Sequence, residues 1–258
     1  MMGVLNCTPD SFSDGGSFMD VESAVSHGLS LWKDGADLID VGGESTRPGS
    51  VSVSVEEELR RVIPVVQQLS DLGCDVSIDT MKAEVMRQAV AAGAVMVNDV
   101  TALRFDTESL AVVAETGVDV CLMHMQGEPE TMQSSPRYAD VVEEVVDFFA
   151  ARIEKALAAG VRESSIVLDP GIGFGKRLKD NLRLIKSLGR FKQQFGMPLL
   201  LGVSRKSFLG LLSHSSIEDR ELETAVAGTV GIIHGADLLR VHDVKLQKRA
   251  IRVASALS

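Results

Sequence analysis

Short apolar runs in this chain end, again and again, in a polar or ionisable side chain. Asn6, Asp40, Asp79, Asn98, His124, Asp169, Ser204 and Arg240 with His242 each close one of them. Buried without partners, such groups cost several kcal/mol each, so eight together imply one shared polar site. Asp and Asn also begin turns and cap helices, a reading that competes at any single position but covers all eight poorly. Asp79, Asn98 and Asp169 would satisfy a planar heterocycle rich in donors and acceptors. A carboxylate such as Asp169 accepts two parallel N–H bonds from a guanidine-like edge, as it does from Arg. A catalytic carboxylate dyad is the competing idea; it lacks a partner nucleophile, since no Cys ends a run and no GxSxG elbow occurs.

The connecting segments carry further chemistry. Asn6-Cys7-Thr8-Pro9-Asp10-Ser11-Phe12-Ser13-Asp14-Gly15-Gly16 is turn-rich and offers oxygen ligands at Asn6, Asp10 and Asp14. Hard cations such as Mg²⁺ choose such oxygens and share them with substrate phosphates. Asp40-Val41-Gly42-Gly43-Glu44-Ser45-Thr46-Arg47-Pro48-Gly49 combines close backbone approach, hydroxyls and a guanidinium fork, which suits an anion. Asp169-Pro170-Gly171-Ile172-Gly173-Phe174-Gly175-Lys176 is spaced GxGxG rather than GxGxxG, and no acidic residue follows at the Rossmann position, which argues against dinucleotide binding. His124 beside Met125 has no metal spacing and reads as a hydrogen-bonded core residue. His27, His214 and His234 read as surface or helix residues.

These residues require elements that bring them to one place. Eight strand candidates occur, at 3–6, 38–42, 76–80, 96–100, 120–124, 166–170, 199–203 and 238–242, with segments of helical periodicity such as 55–72 and 139–159 between them. Eight β-then-α units predict an α/β fold, a (β/α)8 TIM barrel of eight parallel strands with its ligand site at the C-terminal mouth. Seven units would equally suit a doubly wound sheet. The length of 258 residues fits one barrel, predicted as a single domain over 1–258. In that fold the loops after strands 7 and 8 bind phosphate, so Lys206, Arg240 and His242 read as an anion pocket. Arg205, next to Lys206, reads as a solvent-facing ion pair. Connections 7–20, 43–54 and 125–138 are long for plain loops and therefore functional candidates. Helical stretches 221–235 and 243–257 are apolar enough to pack on the barrel or to form a dimer face.

Composition narrows the function classes. A hydrophobic share of 45% and a charged share of 24% are those of a globular protein. A formal charge of −10 argues against general nucleic-acid binding while leaving room for a local cationic pocket, and the acidic excess, Glu56-Glu57-Glu58 and Glu143-Glu144 among it, is expected on outer helices. Three cysteines, Cys7, Cys74 and Cys121, lack metal spacing and fit a reducing compartment. No run is long and apolar enough for a membrane span and the start is no signal peptide, so a cytoplasmic enzyme is expected.

The strings NCTPDSFSDGG, DVGGESTRPG, SIDT, VND, LDPGIGFGK, SRKS and RVHDV occur in this order over about residues 3–245. Together they resemble the dihydropteroate synthase family, the pterin-binding barrels of folate biosynthesis that sulfonamides target. The resemblance implies a homodimeric (β/α)8 transferase joining 4-aminobenzoate to (7,8-dihydropterin-6-yl)methyl diphosphate, with release of pyrophosphate. It implies Mg²⁺ at Asn6. It places Asp79, Asn98, Asp169 and Lys206 on the pterin, with Met123 and Phe174 lining the same pocket. Thr46, Arg240 and His242 would meet the diphosphate. Phe12, Thr46, Pro48 and Ser207 would frame aminobenzoate, with Arg47 and Asp14 nearby. Asp79, Lys206, Arg240 and His242 are the residues expected to act in the chemistry. Partners are thus small molecules and a second copy of the chain, without nucleic acid or membrane.

Two other readings share these motifs: the folate-binding barrel module of a methyltransferase, and a catalytically inactive pterin-binding paralogue. Lys206, Arg240, His242 and the Ser-Thr-Arg-Pro-Gly loop favour the synthase, because only it requires a full diphosphate site. Cys7 stands where the family usually has Val, and Met81 where Ser or Thr is common; both read as tolerated packing changes. Family members usually carry extra N-terminal residues covering the barrel bottom. The chain begins almost at its first strand, so that extension is expected to be shortened.

Overall fold

The computed structural model describes residues 1–8, 18–45, 52–128 and 131–257, with backbone only at 18–20. Its strands are β1 Met2–Asn6, β2 Leu38–Gly42, β3 Val76–Asp79, β4 Met96–Asp99, β5 Asp119–Met123, β6 Ile166–Asp169, β7 Leu200–Gly202 and β8 Leu238–Val241. The helices between and after them are α1 Phe18–Lys33, α2 Val55–Asp71, α3 Ala83–Ala91, α4 Ser109–Thr116, α5 Val141–Ala158, α6 Leu178–Lys186, α7 Leu188–Phe195, α8 Ser207–Ser213, α9 Glu221–Ile233 and α10 Val244–Leu257. All strand pairs are parallel, in the order β6-β5-β4-β3-β2-β1-β8-β7. A parallel bridge between Leu168 and Leu199 joins β6 to the start of β7, and Leu168 N–H donates to Pro198 O at 2.9 Å, so the sheet curls into a barrel. The eight-strand expectation holds, with every strand end within one residue of that read in the sequence.

Strand periodicity of two explains what faces where. Outward residues such as Ile39, Val41, Val76, Ile78, Val97, Val120, Leu122, Ile166 and Leu168 form the large apolar layer beneath the helices. Inward residues form a separate stack. At the N-terminal end Met2, Met96, Cys121 and Leu200, with Leu38, Val167 and Leu238 against them, plug the lumen. One inward step toward the C-terminal end, the same strands present Asp40, Asp79, Asn98, Asp169 and Arg240. The alternation therefore delivers an apolar floor and a polar mouth from the same eight strands.

Three expectations change. Asp40 does not close β2; it sits mid-strand, fully buried, in register with Val4 and Ser77. Asn98 is followed by Asp99 within β4, and Asp99 takes the bland role: its carboxylate accepts from Thr101 N–H at 2.7 Å and Leu103 N–H at 2.9 Å, organising a turn. Glu58, expected on an outer face of α2, is 1% exposed and points inward, whereas Glu56 and Glu143 are exposed.

Candidate functional site

The polar layer is one connected network. Arg240, inward on β8, donates from Nε to Asp40 Oδ2 at 2.6 Å and from Nη2 to Asp79 Oδ2 at 2.7 Å. Asn98 Nδ2 donates to the same Asp40 oxygen at 3.0 Å. Asp79, Asn98 and Cys121 are register partners on β3, β4 and β5, and Met123 is opposite Asp169 on β6. The predicted trio of Asp79, Asn98 and Asp169 thus shares one end of the barrel. Asp40, read from sequence only as one of the polar run ends, is the hub that holds two of the predicted residues. Its position on the inward side of Leu38-Ile39-Asp40-Val41-Gly42 was the available signal.

Burial sets the charges. It pushes the Asp79 carboxyl up to about 7, helped by Asp40, Glu58 and Asp99 and opposed by Arg240. Asp169 is pushed up to about 6 by burial, against the Gly171 N–H, Lys206 and Lys176. Carboxyls near neutrality can donate as well as accept, which suits a ring with both kinds of edge. Burial works against Arg240, but Asp40 and Asp79 outweigh it and hold its pKa above the ordinary range.

The cationic side comes from β7 and β8. Arg205 adopts a left-handed backbone (φ 57°) at the turn before α8 and pairs outward with Glu221 on α9, as expected. Lys206 turns the other way. Its ammonium lies 4.0 Å from the centroid of the Phe174 ring, a cation–π contact. Burial lowers it to about 8, with the Arg240 charge acting in the same direction. His242, just past β8, shares a 2.9 Å hydrogen bond between Nδ1 and Ser204 Oγ, which fixes the ring. Ser207 opens α8 and is exposed. Met123 packs with Met81, Val100, Met125 and Met132, and Phe174 lies against that cluster. A cavity of about 500 Å³ opens beside it, lined in part by Glu44, Ser45, Met81, Arg104 and Met125.

Two buried lysines escaped the sequence reading. Lys82, just after β3, is ion-paired with both Glu44, at the root of the second loop, and Glu58 of α2. Lys176, at the end of the loop after β6, is 3% exposed and contacts His124 Nδ1 at 2.9 Å. His124 is the hydrogen-bonded core residue expected. Burial, then the charges of Lys176 and Arg104, press it down to about 2, so its ring is neutral. A lysine closing a glycine-rich string carries no pattern that distinguishes a buried ammonium from a surface one.

Phe12, Thr46, Arg47 and Pro48, with Asp10 and Asp14, lie outside the described residues. Asn6 ends β1 in register with Gly42, which pairs in turn with Asp79. It offers one neutral carbonyl oxygen, and among the described residues no cluster of three His, Cys, Asp or Glu could cage a metal. That donor set fits Mg²⁺, which needs only one or two protein oxygens when substrate phosphates supply others.

A family profile described as "Pterin binding enzyme" matches residues 2–242. The chain is 46% identical over 257 residues to the dihydropteroate synthase of Escherichia coli (strain K12), covering 99% of this chain and 90% of that protein. Among solved structures, Yersinia pestis dihydropteroate synthase with a sulfonamide drug complex superposes with a TM-score of 0.93 at 43% identity, covering 99% of this chain and 93% of that one. Xanthomonas albilineans dihydropteroate synthase superposes with a TM-score of 0.92 at 49% identity with 4-aminobenzoic acid, and 0.89 at 46% identity in complex with 7,8-dihydropteroate. Each of the two covers 99% of this chain and 92% of the other.

Proposed function

Because this chain belongs to the pterin-binding enzyme family, we propose that it acts as a dihydropteroate synthase. It joins 4-aminobenzoate to (7,8-dihydropterin-6-yl)methyl diphosphate, giving 7,8-dihydropteroate and pyrophosphate. The observation that carries this reading is the polar layer of Asp79, Asn98 and Asp169 beside the cations Lys206 and Arg240 at one barrel mouth.

The layer's chemistry suits each part of the substrate. Asp169 faces a guanidine-like pterin edge, and Asn98 and Asp79 supply the remaining acceptors and donors. Lys206 spans Phe174 and the ring. Arg240 has five N–H donors, so the two used on Asp40 and Asp79 leave others for phosphate oxygens. Arg240, Lys206 and His242, with Thr46 from the second loop, neutralise the leaving diphosphate and so weaken the C–O bond to the methylene. Asn6 would hold Mg²⁺, which when bound would supply further charge neutralisation for the leaving diphosphate. Carboxylate charge at Asp79 favours positive charge developing on the methylene. The arylamine of aminobenzoate is neutral at pH 7 and attacks without a strong base. Phe12, Arg47, Pro48 and Ser207 frame it, and the first two loops exclude water that would otherwise capture the methylene. Binding is ordered, pterin before amine. Yersinia pestis dihydropteroate synthase, a relative, is crystallised with a sulfonamide drug complex, which supports reading this chain as a sulfonamide target.

The protein acts as a single-domain homodimer in the cytoplasm. Leu222, Val226, Val230 and Ile233 form one exposed apolar stripe on α9, and the helices that contact α9 expose Leu211 on α8 and Val253 and Leu257 on α10. Apolar surface gathered on adjacent helices is typical of an interface. Three buried free cysteines fit a reducing compartment, and among the described residues no helix is long and apolar enough to cross a membrane.

The test is pyrophosphate release from purified protein. Release that requires both substrates and Mg²⁺ is expected; no release with both present would overturn the assignment.

A further inference from the structure

The glycine-rich loop after β6 is curled around a buried ammonium. Lys176 Nζ donates to Gly171 O at 2.8 Å, to Phe174 O at 3.0 Å and to His124 O at 3.2 Å, and lies 2.9 Å from His124 Nδ1. His124 is neutral, so its Nδ1 and its carbonyl accept as a shared pair from the lysine, whose N–H groups number at most three, and the ring carries its proton on Nε2. Two further loop carbonyls are held: Tyr138 OH donates to Gly175 O at 2.8 Å, and Gln133 Nε2 donates to Gly173 O. Gly173 N–H donates to Asn181 Oδ1 at 2.8 Å. The loop is pressed against the segment after β5. A Cβ at Gly171 (φ 67°) would fall 1.9 Å from His124 O, and one at Gly175 (φ 65°) would fall 2.3 Å from Gln126 O.

This cage fixes two residues that face the mouth. Gly171 N–H donates to Asp169 Oδ1 at 2.7 Å, which sets the carboxylate's rotation and leaves its other oxygen for a ligand. Phe174, whose carbonyl Lys176 holds, presents its ring to the Lys206 ammonium. Asp169, Phe174 and Lys206 are three of the residues assigned to the pterin. Lys176 meets Phe174 through its backbone carbonyl and reaches on to His124.

We propose that Lys176 is a positioning residue for pterin recognition: its ammonium, clamped between three backbone carbonyls and neutral His124, sets the loop that aims Asp169 and Phe174 at the heterocycle. This rests on the synthase reading above. Burial lowers the Lys176 pKa to about 7, so the role is held by geometry and hydrogen bonding: an isosteric apolar side chain would leave the carbonyls of Gly171, Phe174 and His124 without a buried donor.

The test is steady-state kinetics of Lys176→Met against the wild-type enzyme, with both substrates varied. A positioning role predicts that KM for the pterin diphosphate rises by roughly tenfold, while KM for 4-aminobenzoate stays within about twofold. A merely structural lysine would lower Tm and leave both KM values of the folded enzyme unchanged, and that result would overturn the proposal. If Lys176→Met does not fold, Tyr138→Phe removes a neighbouring tether on the same loop without touching a charge. It should raise the pterin KM alone by about twofold to threefold. Unchanged pterin KM in Tyr138→Phe would then overturn the proposal. Wild-type enzyme that fails to turn over would instead sink the synthase reading, so the two failures are distinguishable.

Discussion

The two ends of the barrel lumen are built by the same eight strands and do opposite work. The floor is Met2, Met96, Cys121 and Leu200, closed and apolar. The mouth, one inward step along, is Asp40, Asp79, Asn98, Asp169 and Arg240, joined by charge-assisted hydrogen bonds. Floor residues are held by packing alone, so their removal leaves a cavity. Mouth residues hold one another only in part: Asp40 Oδ1 and Ser77 Oγ, register partners on β2 and β3, are buried without a hydrogen bond. The difference teaches where stability and recognition are stored. The floor needs nothing further; the mouth carries buried polar capacity that a bound heterocycle or ordered water would satisfy.

The strongest way to break this division is at the mouth. Asp169→Asn keeps the shape but removes the charged acceptor; kcat/KM for the pterin diphosphate should fall on the order of a hundredfold to a thousandfold, with Tm nearly unchanged. A large Tm loss with normal kinetics would reverse the roles of the two ends. At the floor, Leu200→Ala should lower the unfolding free energy by about 2–5 kcal/mol in denaturant titrations, with kcat/KM of the folded enzyme unaltered. Asp40→Asn sharpens the comparison within the mouth. It keeps an acceptor for Asn98 but discharges the partner of Arg240. A kcat/KM loss of about tenfold is expected, smaller than at Asp169, because Asp79 still grips the guanidinium.

The smallest effect is in the pH dependence of stability. Asp79 is raised from an ordinary 3.8 to about 7, so the folded state binds this proton more tightly than the unfolded chain does. Its stabilising contribution is complete below the unfolded value and is lost as pH rises through the folded one. Asp40, Glu58, Asp99 and Arg240 face it throughout. Asp79→Asn cannot ionise, so its Tm relative to wild type should rise between about pH 4 and 8 in ligand-free protein. A flat difference would mean that Asp79 is not penalised in the mouth.

Much of this was legible in the chain. Eight apolar runs fixed the barrel, and the polar residues that ended them marked its mouth. The ion pair of Arg205 and the core role of His124 also followed from residue type and neighbours. What escaped was long-range pairing. Asp40 reads in the sequence as a strand end, and only its hydrogen bonds with Asn98 and Arg240, both distant in sequence, make it the hub of the network. Glu58 lay in a run of three glutamates that reads as a solvated face, yet Lys82, distant in sequence, draws it inside. Lys176 ended a glycine string whose curl around its ammonium depends on His124 from another strand. Local patterning reports which face a residue takes; it does not report which partner waits there.

The central claim, that this mouth joins an arylamine to a pterin, is tested most directly by following the atoms. Purified protein would be given the pterin diphosphate, Mg²⁺ and ¹⁵N-labelled 4-aminobenzoate, and the products read by mass spectrometry. The account predicts labelled 7,8-dihydropteroate in equal amount to pyrophosphate. Pyrophosphate accompanied only by the unlabelled hydroxymethyl pterin would contradict it.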